Sequence, residues 1–253
     1  MTSPSLGAPR PVITVIQSSP DVQLDRFADW LGDVEVRVVA AFSGEPVPLA
    51  EEAGDGLIVL GGRMSAHDDT IAPWLPEVRA LLSDASTRGV PTLGICLGAQ
   101  LLAVARGGRV QVAAPPGREA GLADVRWRPE AVGDVVVGAV AALADDRHRT
   151  PQPSMHADAV VDLPRGAVWL ASSQMYPYQA FRVGSAWGVQ FHPEASSETL
   201  RTWADTHDDV DTEAVVAAYD ARVDEVTVVG RALAESFAAH VTAVAQEPER
   251  VTA

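Results

Sequence analysis

Apolar residues follow two rhythms along the first half of the chain. Val34 to Val39 reads as a strand, and Val12 to Gln17, Gly56 to Leu60 and Val90 to Ile95 are short, largely apolar runs, the first of these closed by Ser18-Ser19-Pro20 and the second by Gly61-Gly62. Such runs predict strands buried on both faces. Between them, residues 24–31 and 74–88 carry apolar positions at helical spacing. Gly89 stands where a C-cap belongs, and residues 97–105 predict a further helix ended by Gly107-Gly108. Strands alternating with helices at these lengths imply βαβ units and a mostly parallel sheet.

The second half is richer in short strands, predicted at 109–113, 122–128, 134–138, 158–161, 168–172, 178–183 and 186–191, with few helices between them. A parallel core that finishes in antiparallel strands accommodates this pattern without a second domain. From Glu198 the chain turns helical. Val215, Val216, Tyr219, Val223, Val226, Val229, Leu233, Phe237 and Val241 recur at three- or four-residue steps, which predicts one or two amphipathic helices across 212–245. The expected organisation is one α/β domain over residues 12–206 with a helical extension over 207–247.

Composition narrows the function. A net charge of −15 across 253 residues, with every basic residue an arginine, leaves no basic patch for a nucleic-acid backbone. No apolar run approaches the roughly 20 residues of a membrane helix, and residues 1–10 lack the apolar stretch of a signal peptide. A cytoplasmic protein is expected, with neither nucleic acid nor membrane as partner. The single cysteine, Cys96, excludes an intrachain disulfide and a cysteine-cluster metal site. A thiol with a role here is a reactive one.

Cys96 lies in Gly94-Ile95-Cys96-Leu97-Gly98, between a predicted strand and a predicted helix. Small residues on both sides suit the tight strand-to-helix elbow that exposes a nucleophile. The helix N-terminus favours the thiolate, but a free thiol also needs a nearby base. Of six histidines (His67, His148, His156, His192, His207 and His240), His192 has the most suggestive setting, because the apolar segment 186–191 ends in His192-Pro193-Glu194. Pro193 confines His192 to extended angles, and alternation puts His192 and Glu194 on one side, so the carboxylate can hold one ring nitrogen while the other faces the sulfur.

These two segments, Gly94 to Leu102 and Gln190 to Glu194, resemble the hallmarks of the class I, triad-type glutamine amidotransferases. The resemblance runs from about residue 12 to residue 206 and is strongest to stand-alone members similar to the amidotransferase domain of GMP synthase. It implies a flavodoxin-like fold with Cys96 as nucleophile, His192 as base and then acid, and Glu194 as its orienter. It further implies an oxyanion hole from the backbone amides of Gly62 and Leu97, and substrate contacts at Gly61, Gln100, Ala157 and Asp158. The implied activity is hydrolysis of the side-chain amide of glutamine or a γ-glutamyl compound through a γ-glutamyl thioester, with no cofactor and no metal. The ammonia would pass to a separate synthetase. Two alternatives stay open: a γ-glutamyl hydrolase or peptidase releasing an amine or amino acid, and a non-catalytic regulatory or redox-responsive protein on the same scaffold. The tail helices would form a homodimer interface or a partner dock.

Arg63 stands where the family usually has proline, and Ala99 and Ala157 where glycine is frequent. Other charged groups read more plainly. Met64 to Asp69 suits a helix-entry cap as well as a ligand contact. Glu119 reads as a solvated loop charge, the six tryptophans as core or cleft wall, and His207 with Asp205, Asp208, Asp209 and Asp211 as a solvated acidic face rather than a metal cluster.

Overall fold

A computed structural model describes residues 10–247 of the chain. Most of the segment read for a targeting signal, residues 1–9, lies outside them. Eleven strands are present in the described residues: β1 Val12–Gln17, β2 Glu35–Ala40, β3 Gly56–Val59, β4 Thr92–Ile95, β5 Arg109–Gln111, β6 Glu119–Trp127, β7 Arg149–His156, β8 Ala159–Asp162, β9 Val168–Ser172, β10 Ala180–Val183 and β11 Ala186–Val189. The helices are α1 Phe27–Trp30, α2 Leu75–Arg88, α3 Leu97–Ala105, α4 Gly138–Ala141, α5 Ser197–Ala204, α6 Thr212–Asp220 and α7 Val223–Gln246.

Nine strands form one sheet in the order β2-β1-β3-β4-β11-β10-β9-β6-β7, while β5 and β8 pair apart from it. From β2 to β11 every neighbour pair is parallel, and from β11 to β7 every pair is antiparallel. The expected parallel core with an antiparallel finish is therefore present.

The unbroken apolar strands are explained by what covers them. Ile13, Val15, Ile58, Leu60, Leu93 and Ile95 pack with Phe27 of α1, Tyr219 of α6 and Leu233, Phe237 and Val241 of α7. Their neighbours Ile16, Leu57 and Val59 point to the opposite face and pack with Leu75, Val78, Leu82 and Leu101 of α2 and α3. A strand covered on both sides has no position that favours a polar residue. The helical tail is thus a layer of the core, since α6 and α7 bury the apolar stripe that their sequence predicts. No helix of the described residues is long and apolar enough to cross a membrane.

Two local readings are corrected. Residues 134–138 form a turn leading into α4 rather than a strand, because the Asp134 carboxylate accepts the amides of Val136 and Val137 at 3.0 and 3.1 Å and winds the backbone there. Conversely, most of β7 lies where the sequence predicts no strand. Pro151 and Pro153 argue against a strand, but β7 is an edge strand, and Pro153 turns its carbonyl away from β6 to accept the His192 amide at 2.7 Å. The missing proline N–H groups, two residues apart, therefore face the side where no ladder is required.

Candidate active site

Three strand ends in the parallel half converge. The turn after β3 supplies Gly61 and Gly62, the end of β4 supplies Cys96, and the end of β11 leads into His192. Carboxyl ends of parallel strands are where open α/β sheets form their ligand crevices.

Cys96 holds φ +50° and ψ −105°, a conformation that side-chain-bearing residues rarely adopt, so the elbow expected from the sequence is present as backbone strain. The flanking glycines are required by close approach. A Cβ on Gly94 would come within 2.5 Å of the Gly98 carbonyl oxygen, and one on Gly98 would collide with the Val59 carbonyl of β3. The Cys96 amide donates to Val189 of β11 at 2.8 Å, which ties the elbow to the strand that carries His192.

His192 and Glu194 meet as their alternation predicts, with His192 Nδ1 2.7 Å from Glu194 Oε1, and both side chains buried. The His192 ring also lies against Trp203 of α5, centroids 4.4 Å apart, and Trp203 is fixed by its Nε1 donating to the Asp21 carbonyl at 3.0 Å. A Cβ on Gly61 would meet His192 Cε1 at 2.8 Å and Cys96 Cβ at 3.5 Å, so the imidazole and the sulfur-bearing carbon flank one point. Burial disfavours a charged His192, but the Glu194 carboxylate and the Cys96 sulfur outweigh it and push the imidazole from 6.5 up to about 10. The ring is therefore held as a proton donor at neutral pH.

Gly62 adjoins Leu97, since a Cβ there would sit 2.7 Å from Leu97 Cδ2. Leu97 begins α3, whose first amides have no helical acceptor. Such amides beside a thiol are suited to receive an oxyanion.

Cys96, His192, Gly62 and Gln100 line a cleft of about 430 Å³ together with Ala157 and Asp158, so the residues expected from distant segments are brought together. Gln100 Nε2 donates to the Asp158 carbonyl at 3.0 Å and to Gln190 Oε1 at 3.3 Å, and Gln190 Nε2 reaches Cys96 Sγ at 3.6 Å. Gln190 is absent from the residues expected to act here. Its signal is its place two residues before His192 on an extended segment, which puts both on one side. Asp21 and Val22 in the cleft wall are likewise additions to the expected set, while Trp203 is one of the tryptophans expected in core or cleft wall.

Glu119 corrects an expectation. It is 5% exposed rather than solvated, because β6 faces β7 and places it against His156 Nε2 at 3.1 Å, with Ser173 Oγ and Gln179 Nε2 each donating at 2.6 Å. Burial opposes its charge, but these hydrogen bonds, from His156 first and then Ser173 and Gln179, hold the carboxyl below its ordinary range. His156 Nδ1 bonds the same Asp158 carbonyl that Gln100 uses, at 2.9 Å. A buried polar chain therefore runs from Glu119 to the cleft wall.

Arg63 leans across the cleft rim to Asp21, with Nη2 at 2.5 Å. Arg118 pairs with Asp209 at 3.1 Å and approaches His207 Nε2 at 3.4 Å, while burial, Arg118 and Arg63 hold His207 below its ordinary value. The Met64 to Asp69 segment is capped internally, Asp68 accepting the Ser65 amide at 2.7 Å, and Met64 reaches the cleft. Among the described residues no group of three or more His, Cys, Asp or Glu is placed to hold a metal ion.

Comparison with known proteins identifies the family and the fold. Residues 30–203 match the family model described as glutamine amidotransferase class-I. The chain is 31% identical over 166 residues to one subunit of the glutamine-hydrolyzing GMP synthase of Methanosarcina mazei, covering 65% of this chain and 76% of that one. It is 35% identical over 153 residues to the glutamine-hydrolyzing GMP synthase of Thiobacillus denitrificans, 58% of this chain but only 26% of that much longer protein. Among solved structures, a glutamine amidotransferase from Thermotoga maritima superposes with a TM-score of 0.78 at 24% identity, covering 90% of this chain and 98% of that one. One from Methylobacillus flagellatus gives 0.77 at 24% identity, with 91% and 94% covered. The chain belongs to the class-I glutamine amidotransferase family.

Proposed function

We propose that this enzyme hydrolyses the side-chain amide of glutamine, or of a related γ-glutamyl compound, through a thioester on Cys96. The observation that carries this reading is the strained Cys96 elbow beside a buried His192 paired with Glu194, and the Glu194 and Cys96 groups, outweighing burial, favour the protonated ring. The Cys96 thiolate attacks the γ-carbonyl carbon, and the amides of Gly62 and Leu97 receive the charge on its oxygen. Collapse of that adduct breaks the carbon–nitrogen bond as His192 gives its proton to the departing nitrogen. Water, losing a proton to the now neutral His192, then attacks the thioester and releases glutamate and free Cys96. Gly61 gives the imidazole room, while Gln100, Ala157 and Asp158 hold the amino-acid end of the donor.

Two facts bear on what leaves. Similarity to a protein named as one subunit of a GMP synthase supports ammonia delivery to a separate synthetase chain. The cleft also continues past Cys96 to Arg63, Arg118 and His207, which supports a donor with a larger amine or amino acid on the amide nitrogen. Glutamate release from glutamine, γ-glutamyl amines and γ-glutamyl peptides, measured by mass spectrometry, decides between them. The expected result is release from at least one class. No release from any of them, with or without a synthetase present, would overturn the proposal.

A further inference from the structure

The His192-Pro193-Glu194 turn is gripped from behind by elements outside the family match, which ends at residue 203. Tyr219 of α6 is fully buried and its hydroxyl donates to the Ala195 carbonyl at 2.8 Å. Burial pushes this phenol up to about 12, so it remains a donor throughout the ordinary pH range. Gly230 of α7 lies so close to the Pro193 carbonyl that a Cβ there would collide with it. Arg26 joins the pieces: its amide donates to the Glu194 carbonyl at 3.2 Å, its guanidinium donates to Thr227 of α7 at 2.9 Å, and it lies 5.5 Å from the centroid of the Tyr219 ring. Three consecutive carbonyls, those of residues 193 to 195, are thus met by side chain or backbone from the tail helices and from Arg26.

We propose that α6 and α7 are a positioning clamp for the catalytic turn, with Tyr219 and Gly230 setting where the His192 imidazole stands relative to Cys96. The proposal rests on the hydrolytic reading above. A backbone carbonyl held on its far side cannot drift, and drift here would move the imidazole directly. The tail therefore serves chemistry as well as core burial, and neither Tyr219 nor Gly230 needs to touch substrate to do so.

Tyr219→Phe keeps the ring and removes only the donor, whereas Gly230→Ala pushes α7 and the Pro193 carbonyl apart. A displacement on the order of 1 Å is enough to lower kcat about 10- to 100-fold in Gly230→Ala, with a smaller fall in Tyr219→Phe. KM for the donor is expected to stay at its parent value in both. Alkylation of Cys96 by iodoacetamide, followed by intact mass at one pH, is expected to slow in parallel. Unchanged kcat and unchanged alkylation in folded variants with lowered thermal stability would reduce the tail to a structural layer and overturn the clamp, as would a change confined to KM. If Gly230→Ala fails to fold, Tyr219→Phe carries the same test. The alkylation arm also reads the clamp when the parent chain hydrolyses no donor, so failure of the clamp is told apart from failure of the proposed reaction.

Discussion

Replacing Cys96 by alanine is expected to lower hydrolysis of every γ-glutamyl donor by at least about 10⁴-fold, the scale seen when a nucleophile that acts as a unit with its base is removed. The same variant should remain folded. Cys96 is 6% exposed, is approached by Gln190 Nε2 at 3.6 Å and also interacts with His192, so losing the sulfur costs about 2 kcal/mol and several degrees of melting temperature. Alanine inherits the positive φ of the elbow, so the backbone strain is unchanged and adds nothing to the difference. Circular dichroism with a glutamate-release assay checks both halves. Retained activity in a folded Cys96→Ala protein would remove the sulfur from the mechanism.

Glu194→Gln is the second large effect, and its signature is in the pH dependence. The Glu194 carboxylate, with the Cys96 sulfur, outweighs burial and holds His192 at about 10, so the proton-donating form persists across the neutral and mildly alkaline range. With the carboxylate gone, burial still disfavours the charge, and the imidazole value falls. The alkaline limb of the kcat profile is then expected to move to lower pH, with kcat down about 10³- to 10⁴-fold where an orienting carboxylate becomes an amide. Stability follows the same sign. A histidine raised above its unfolded value of 6.5 contributes stability that is full below 6.5 and is lost as pH rises towards 10. The parent should therefore lose stability across that window, and the variant, in which only Cys96 still raises the ring, should show a weaker dependence. An unmoved alkaline limb would show that Glu194 does not govern the ring.

Both effects depend on residues that are legible before any coordinates, and the reason is local. An elbow needs small neighbours within four residues, and a strand ending in His-Pro-Glu fixes its own side-chain directions, so Cys96, His192 and Glu194 carry their geometry in their immediate sequence. The parallel core is legible for a similar reason, because strands covered on both faces are apolar throughout. What escapes the sequence is set by distant partners. Pro151 and Pro153 are compatible with β7 only because β7 is the edge of the sheet, and an edge is a property of the whole topology. Val135 to Val137 looks like a strand until Asp134 is seen holding two of its amides. Glu119 is a buried anion rather than a loop charge because Ser173, Gln179 and His156, 37 to 60 residues away, close over it. The tail shows its amphipathic helices in its own spacing, but its contact with the Pro193 and Ala195 carbonyls has no signal in either segment alone.

The most direct measurement is to mix the enzyme with its best donor, quench in acid within the first turnover and map the trapped adduct by peptide mass spectrometry. A γ-glutamyl group on the peptide that contains Cys96, labile to hydroxylamine and missing in Cys96→Ala, is the expected result. Donor turnover with no acyl group on that peptide at any quench time would contradict the thioester account.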